Sequence, residues 1–287
     1  MSNSSRPDQT PPTNSAINKL VRSLPYETLS TLLNTNVSIT NINAEAYLGW
    51  VHLLNPSILD RFGDPYQKKI IEFYVTQHLL RISPADHLLD AAGGMYSPSP
   101  YIPAARRIIQ DMRLTPEFRK LHPGVEFVES DASAIPLNNE SIDCISCHHS
   151  FEHFQHESDT GFVREVQRLL RSGGRACILP IFLADQYFEI TDTPGVALQF
   201  DPASKTIVDV TAALPGGDVS GNYARVYDPA AFRRRVLDVV DRNEFTTTLF
   251  EIQMDGRPCP DLSRPSNRSA SAINVPYRAL LIEKKRR

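Results

Sequence analysis

The sequence predicts an α/β fold built on a mostly parallel sheet, on three observations. Short apolar runs alternate with helical segments between His87 and Phe182, the order that produces parallel strands joined by crossover helices. Carboxylates and small residues fall at the ends of those runs: Asp90 before Ala92-Gly93-Gly94, then Asp111, then Asp131-Ala132. The length of 287 residues, with 41% hydrophobic and 22% charged residues, suits a sizeable globular core.

The elements follow in order. Residues 1–15 are Ser, Asn, Pro and Thr with no apolar core, and read as a disordered tail. Residues 16–84 read as an N-terminal helical cover. Within it Asp64-Pro65 forms an N-cap with proline at the first helical position. Tyr66, Ile70, Tyr74 and His78, with Ile71, Val75 and Leu79, then make one apolar stripe at helical spacing, ended by Ser83-Pro84. The main domain, 85–287, starts with apolar runs at 87–90, 107–111, 125–129, 142–147 and 175–182. Phe162, Val163, Val166, Leu169 and Leu170 mark a helix face before the last of these, with Gly173-Gly174 as its stop signal. Residues 183–227 form a lid or substrate insertion, since 190–222 has no clean period. Asp228-Pro229 opens a helix carrying Phe232, Val236, Val239 and Val240, and 245–252 and 276–283 are closing strands.

Composition narrows the function. The 30 basic and 33 acidic residues leave a net charge of -3, which argues against a nucleic-acid partner. No apolar run approaches the ~20 residues of a membrane span. Four cysteines in so long a chain make no disulfide scaffold, so a reducing, cytoplasmic setting is expected. No signal in the sequence specifies an oligomeric state.

In an open α/β sheet, ligands bind beyond the carboxyl ends of the strands, near the switch point. Ala92-Gly93-Gly94 lets the backbone turn tightly and approach a ligand closely. Asp111 follows Asp90 by about 20 residues, the spacing at which a carboxylate grips a nucleoside ribose. Asp131 is placed to accept an adenine amino group. The stretch Gly93-Gly94-Met95-Tyr96-Ser97-Pro98 lacks the G-x-G-x-x-G spacing that cradles a pyrophosphate. A phosphate-free, cationic nucleoside suits these carboxylates better than a dinucleotide, and S-adenosyl-L-methionine is such a molecule.

Four stretches carry a family resemblance. Leu88 to Gly94 resembles the first motif of class I S-adenosylmethionine-dependent methyltransferases, and Val125 to Leu137 resembles their third. Ser141 to Phe154 resembles the fourth strand with its Glu-His signature, and Glu165 to Arg175 the helix and turn before the fifth. The methyltransferase type 11 group is the nearest in pattern, over about Leu88 to Phe182. The resemblance implies a Rossmann-like sheet of seven strands, the last antiparallel. It also implies S-adenosyl-L-methionine as the cofactor. Asp90, Ala92, Gly93 and Gly94 would hold its methionine end, Asp111 its ribose, and Asp131 with Ala132 its adenine, with His148 lining the site. Ala92 and Tyr96 stand where the family usually has glycine.

Cys147, His148, His149, Glu152, His153 and His156 form a dense cluster of ligand types, but it coincides with the fourth-strand motif, and no metal is expected. Cys144 and Cys147, three apart in a strand, point to opposite faces and read as buried small residues. His149 or His153 is placed to act as general base; the competing role for His153 is to hold the turn by hydrogen bonds. Asp185 and Tyr187 are the substrate candidates. The expected function is methyl transfer to an O, N or C atom of a small-molecule substrate. Two alternatives are a methyltransferase-like enzyme with other chemistry, such as cyclisation, and a binding module that has lost the cofactor, with Tyr96 filling its pocket.

Overall fold

The computed structural model describes residues 20–53, 68–94, 97–191, 200–208, 223–259 and 275–287. The N-terminal part contains α1 (Tyr26–Leu33), β1 (Asn36–Ile42), α2 (Ala44–Leu53) and α3 (Lys68–Leu80). Next come β2 (His87–Ala91), β3 (Arg106–Asp111), α4 (Pro116–Leu121), β4 (Glu126–Glu129), β5 (Ile142–His148), α5 (Ser158–Leu169) and β6 (Leu170–Leu179). A small sheet follows, of β7 (Phe188–Thr191), β8 (Lys205–Val208) and β9 (Tyr223–Val226). The chain closes with α6 (Pro229–Arg235), β10 (Phe245–Met254), β11 (Arg257–Pro258) and β12 (Arg278–Lys284).

The main sheet has the order β1-β10-β12-β6-β5-β2-β3-β4, with β11 paired to β10. Its strands are parallel except β12 and the two-residue β11. The seven expected strands are β2–β6, β10 and β12, and the last of them is the antiparallel one. An eighth, β1, adds to the edge from a stretch whose sequence reads as helical cover. The β-branched Val37, Ile39, Thr40 and Ile42 explain it: such side chains fit a pleated surface.

Two other expectations are corrected. α5 ends at Leu169 and passes straight into β6, so Gly173-Gly174 lies inside a strand and does not stop a helix. The pairing with β5 slips there, from Ile142 opposite Leu170 to Cys144 opposite Arg175. Gly173, at φ +79°, occupies the left-handed geometry that such an irregularity uses. The stretch 183–227, read as a lid or substrate insertion with a long loop over 190–222, contains β7, β8 and β9. The tail 1–15, Asp64-Pro65, Tyr66 and Tyr96 lie outside the described residues.

The sheet is covered on both faces. Leu89, Ile145, Cys147 and Ile178 pack with Leu29 and Leu33 of α1, Phe162 and Val166 of α5 and Phe232 of α6. Leu88, Cys144, Cys177 and Leu281 pack with Tyr47 and Val51 of α2 and Ile70, Ile71 and Val75 of α3. Cys144 and Cys147 thus sit on opposite faces, and all four thiols are free. α6 begins as the sequence dictates: Pro229 occupies its first turn and Asp228 Oδ1 accepts from the Ala231 N–H at 2.7 Å. Among the described residues no helix is long and apolar enough to cross a membrane.

Candidate active site

Strand order reverses between β2 and β5, since the chain leaves β2 toward β3 and β5 toward β6. The crevice outside their carboxyl ends is therefore the expected ligand position. Asp90, near the end of β2, is fully buried; its Oδ1 accepts from Ser146 Oγ at 2.7 Å and lies 3.2 Å from His148 Nδ1. Burial alone would raise this carboxyl, but His148, Ser97 and Ser146 outweigh it and leave it below its ordinary value. His148 Nε2 in turn meets Thr76 Oγ1 of α3 at 2.8 Å. His148 is thus locked from both sides.

The turn after β2 is held by Gln110 of β3. Its Oε1 accepts from the Ala92 N–H at 3.1 Å, its backbone oxygen from the Gly93 N–H at 3.2 Å, and its Nε2 donates to Ser130 O at 2.6 Å. A Cβ on Gly93 would stand 2.4 Å from Asp90 Oδ2, so only glycine fits over the buried carboxylate. Gly94 has φ +53°, and a Cβ there would come within 3.3 Å of Asp111 Oδ2. Ala92 also has a positive φ, +50°, so this chain accepts strain where the resembled motif has glycine. Asp111 ends β3 half-buried, and burial pushes its carboxyl up. Asp90, the Gly93-Gly94 cradle and Asp111 adjoin one another, and these residues fit the methionine-to-ribose half of S-adenosylmethionine. Asp131 lies after β4, exposed, its Oδ1 accepting from Ser133 N–H and Oγ at 2.7 Å each. Ala132 is buried in the core beside it.

The loop after β5 closes on this turn: Ser150 Oγ reaches Ala92 O and His148 O at 2.9 Å each. His149, at φ +47°, leaves the strand end sharply. Its Nδ1 lies 2.7 Å from Glu152 Oε1 and its Nε2 3.5 Å from Glu72 Oε1. His153 Nδ1 bonds the Tyr223 carbonyl oxygen of β9, and its Nε2 lies 3.6 Å from Glu152 Oε1. Burial opposes the Glu152 charge, but His153 and His149 outweigh it and hold the carboxyl down to about 2. That depression stabilises the fold by about 3 kcal/mol above the ordinary glutamate range. The contribution is present above pH 4.5, and it is lost as pH falls toward 2, when the folded carboxyl protonates. Acid unfolding of Glu152→Gln is therefore expected to be shallower than that of the parent chain between those values. Parallel stability-versus-pH curves would refute this.

The histidines and the turn after β2 are therefore brought together. Asp185 and Tyr187 are held at the start of the small sheet. The Asp185 N–H donates to Arg22 O at 2.9 Å, and its side chain is exposed. Tyr187 is buried, its hydroxyl 3.3 Å from Asp201 Oδ2 and 3.4 Å from Glu189 Oε1, its ring stacked on Tyr227. Among the described residues no group of three or more His, Cys, Asp or Glu is arranged to hold a metal ion.

Gln110, Ser146, Thr76 and Glu72 are among the site residues that escaped the sequence reading. Glu72 left a trace, a carboxylate between Ile71 and Phe73 in a helix packed on the sheet. Gln110 left a similar one, a polar side chain closing the run Ile108-Ile109.

Residues 102–178 match the family model described as a methyltransferase domain. No curated protein matches the chain. Among solved structures, the chain is similar to 1,6-didemethyltoxoflavin-N1-methyltransferase of Burkholderia thailandensis, at 13% identity and TM-score 0.46, covering 92% of each chain. It is similar to an S-adenosylmethionine-dependent methyltransferase of Mesorhizobium loti, at 14% identity and TM-score 0.46, covering 75% of this chain and 97% of that one. A third is the YcgJ protein of Bacillus subtilis, at 16% identity and TM-score 0.41, covering 75% and 98%. The domain match covers residues 102–178, and the strand order around it is that of a doubly wound α/β sheet.

Proposed function

We propose that this chain, carrying a class I methyltransferase domain, moves a methyl group from S-adenosylmethionine to an O, N or C atom of a small-molecule acceptor. One observation supports this above the others: the glycine turn after β2 abuts Asp111 on one side and is tied on the other, through Ser150 Oγ on Ala92 O, to the loop that carries His149. When bound, the cofactor supplies an electrophilic methyl group on a sulfonium. Asp90 and the backbone of Ala92, Gly93 and Gly94 hold its methionine end, Asp111 its ribose hydroxyls, and Asp131 and Ala132 its adenine. His148 closes the wall between the two strands.

His149 serves as general base. A proton on its Nδ1, donated to Glu152, leaves the Nε2 lone pair to take the acceptor's proton. The resulting imidazolium is stabilised by the Glu152 carboxylate. His153, tied to Tyr223, fixes the small sheet over this end of the site. The small sheet takes the substrate-side role, with Asp185 and Tyr187 at its base. A small-molecule acceptor accords with a net charge of -3, and a cytoplasmic setting accords with four free thiols.

Titration calorimetry with S-adenosylhomocysteine tests the assignment. Asp111→Ala is expected to weaken binding by at least about tenfold, the loss of charge-assisted hydrogen bonds to a diol. Undiminished affinity would remove Asp111 from the site.

A further inference from the structure

We propose that the acceptor is a donor-bearing, non-anionic molecule, an amine or a hydroxyl compound, seated between Glu72 and Glu152 beside His149. The inference rests on the methyltransferase reading and names the substrate class of that same site. α3 runs antiparallel to β5: Leu80 O, at its C-terminus, meets Cys144 Sγ near the start of β5, and Thr76 meets His148 at the end. Glu72, one turn before Thr76, therefore overhangs the crevice. It lies outside residues 102–178, the segment that matches the family model.

Glu72 is fully buried. Its Oε1 accepts from the Tyr277 hydroxyl and faces His149 Nε2, while its Oε2 has no hydrogen-bond partner among the described residues. Glu152, 3% exposed, repeats the pattern on the other side of the ring: Oε1 faces His149 Nδ1, and Oε2 has no hydrogen-bond partner among the described residues. Buried polar atoms are costly when unpaired. Two such atoms flanking one imidazole match a ligand that brings N–H or O–H groups. His149 and His153, with side chains 14% and 25% exposed, open the cluster outward.

Charge excludes the opposite class. The Glu152 carboxyl is held low by His153 and His149, and the groups that favour a charge on Glu72 are His149, then Lys69 and His148. A carboxylate, phosphate or sulfonate would meet the Glu152 carboxylate, and among the described residues only His149 and His153 stand within ion-pair distance of the two glutamates. Burial raises the Glu72 carboxyl, and an amine or hydroxyl suits either state of it, donating to the anion or accepting from the acid.

Three probes of matched shape decide the matter: benzylamine, benzyl alcohol and benzoate, titrated into the full chain saturated with S-adenosylhomocysteine. Benzylamine or benzyl alcohol is expected to bind at least about tenfold more tightly than benzoate. Glu152→Gln, which replaces the charge by an amide donor, is expected to shrink that ratio by about tenfold; Glu72→Gln serves if Glu152→Gln does not fold. Benzoate binding as tightly as the others, or no probe binding at millimolar concentration, would overturn the proposal while leaving the cofactor assignment standing. Failure of S-adenosylhomocysteine itself to bind would instead bring down the methyltransferase reading.

Discussion

Asp159→Asn is expected to cost about 3–5 kcal/mol of folding stability, the range found when one partner of a buried ion pair is removed. Asp159, on the first turn of α5, is fully buried. Its Oδ2 lies 2.7 Å from Arg225 Nη1 of β9 and accepts from Arg235 Nε of α6 and the Tyr227 hydroxyl at 2.8 Å each. Its Oδ1 accepts from Arg235 Nη2 at 2.7 Å and from the Thr160 N–H at 2.8 Å. One carboxylate therefore joins α5, α6 and the small sheet. Arg225 and Arg235, 1% and 4% exposed, cannot fall back on water. Arg225 would keep Glu189, and Arg235 would keep Glu157 and Asp201, which holds the loss within that range. Burial works against the Asp159 charge, but Arg235 and Arg225 prevail and its carboxyl lies below the usual value. Its stabilising effect is thus present at neutral pH and fades as pH falls below the ordinary aspartate range. Urea unfolding at pH 7 measures the cost as a lower midpoint at unchanged slope. A change under about 1 kcal/mol would mean that the three elements are joined by apolar packing and not by Asp159.

That network also marks where sequence reading stops. Alternation of apolar runs and helices located β2–β6, β10 and β12 of the central sheet, because burial on two faces leaves a local signature that survives without tertiary information. β1 was missed because an edge strand half in solvent, with burial running from Asn36 exposed to Ile42 buried, carries no such run. Asp90, Gly93, Gly94 and Asp111 were legible because strand-end chemistry is fixed by position along the chain. Glu72 and Tyr277 were not, since their meeting spans 205 positions and depends on α3 and β12 packing against the same face. Asp159, Arg225 and Arg235 carry no local pattern that announces their meeting. Only the small sheet, whose strands are four residues long, brings them together.

His149→Asn is expected to lower kcat for methyl transfer by about 10²–10⁴-fold, the usual contribution of a positioned general base. Asparagine is the informative replacement because His149 has φ +47°. Asparagine tolerates the left-handed region better than most side chains, so the turn that places Ser150 Oγ on Ala92 O survives. Alanine would mix backbone strain with loss of the base. Nothing in the contacts of His149 reaches Asp90, Gly94 or Asp111, so affinity for S-adenosylhomocysteine should stay within about twofold of the parent. His153→Asn provides the contrast. His153 Nδ1 is committed to the Tyr223 carbonyl, so its loss should loosen β9 and appear in KM and stability more than in kcat. The readout is S-adenosylhomocysteine formed from an amine or hydroxyl acceptor, with cofactor affinity measured on the same preparations. A His149→Asn enzyme within tenfold of the parent in kcat would show that positioning alone suffices. The Glu72, His149 and Glu152 cluster would then be left with binding the acceptor and no part in moving its proton.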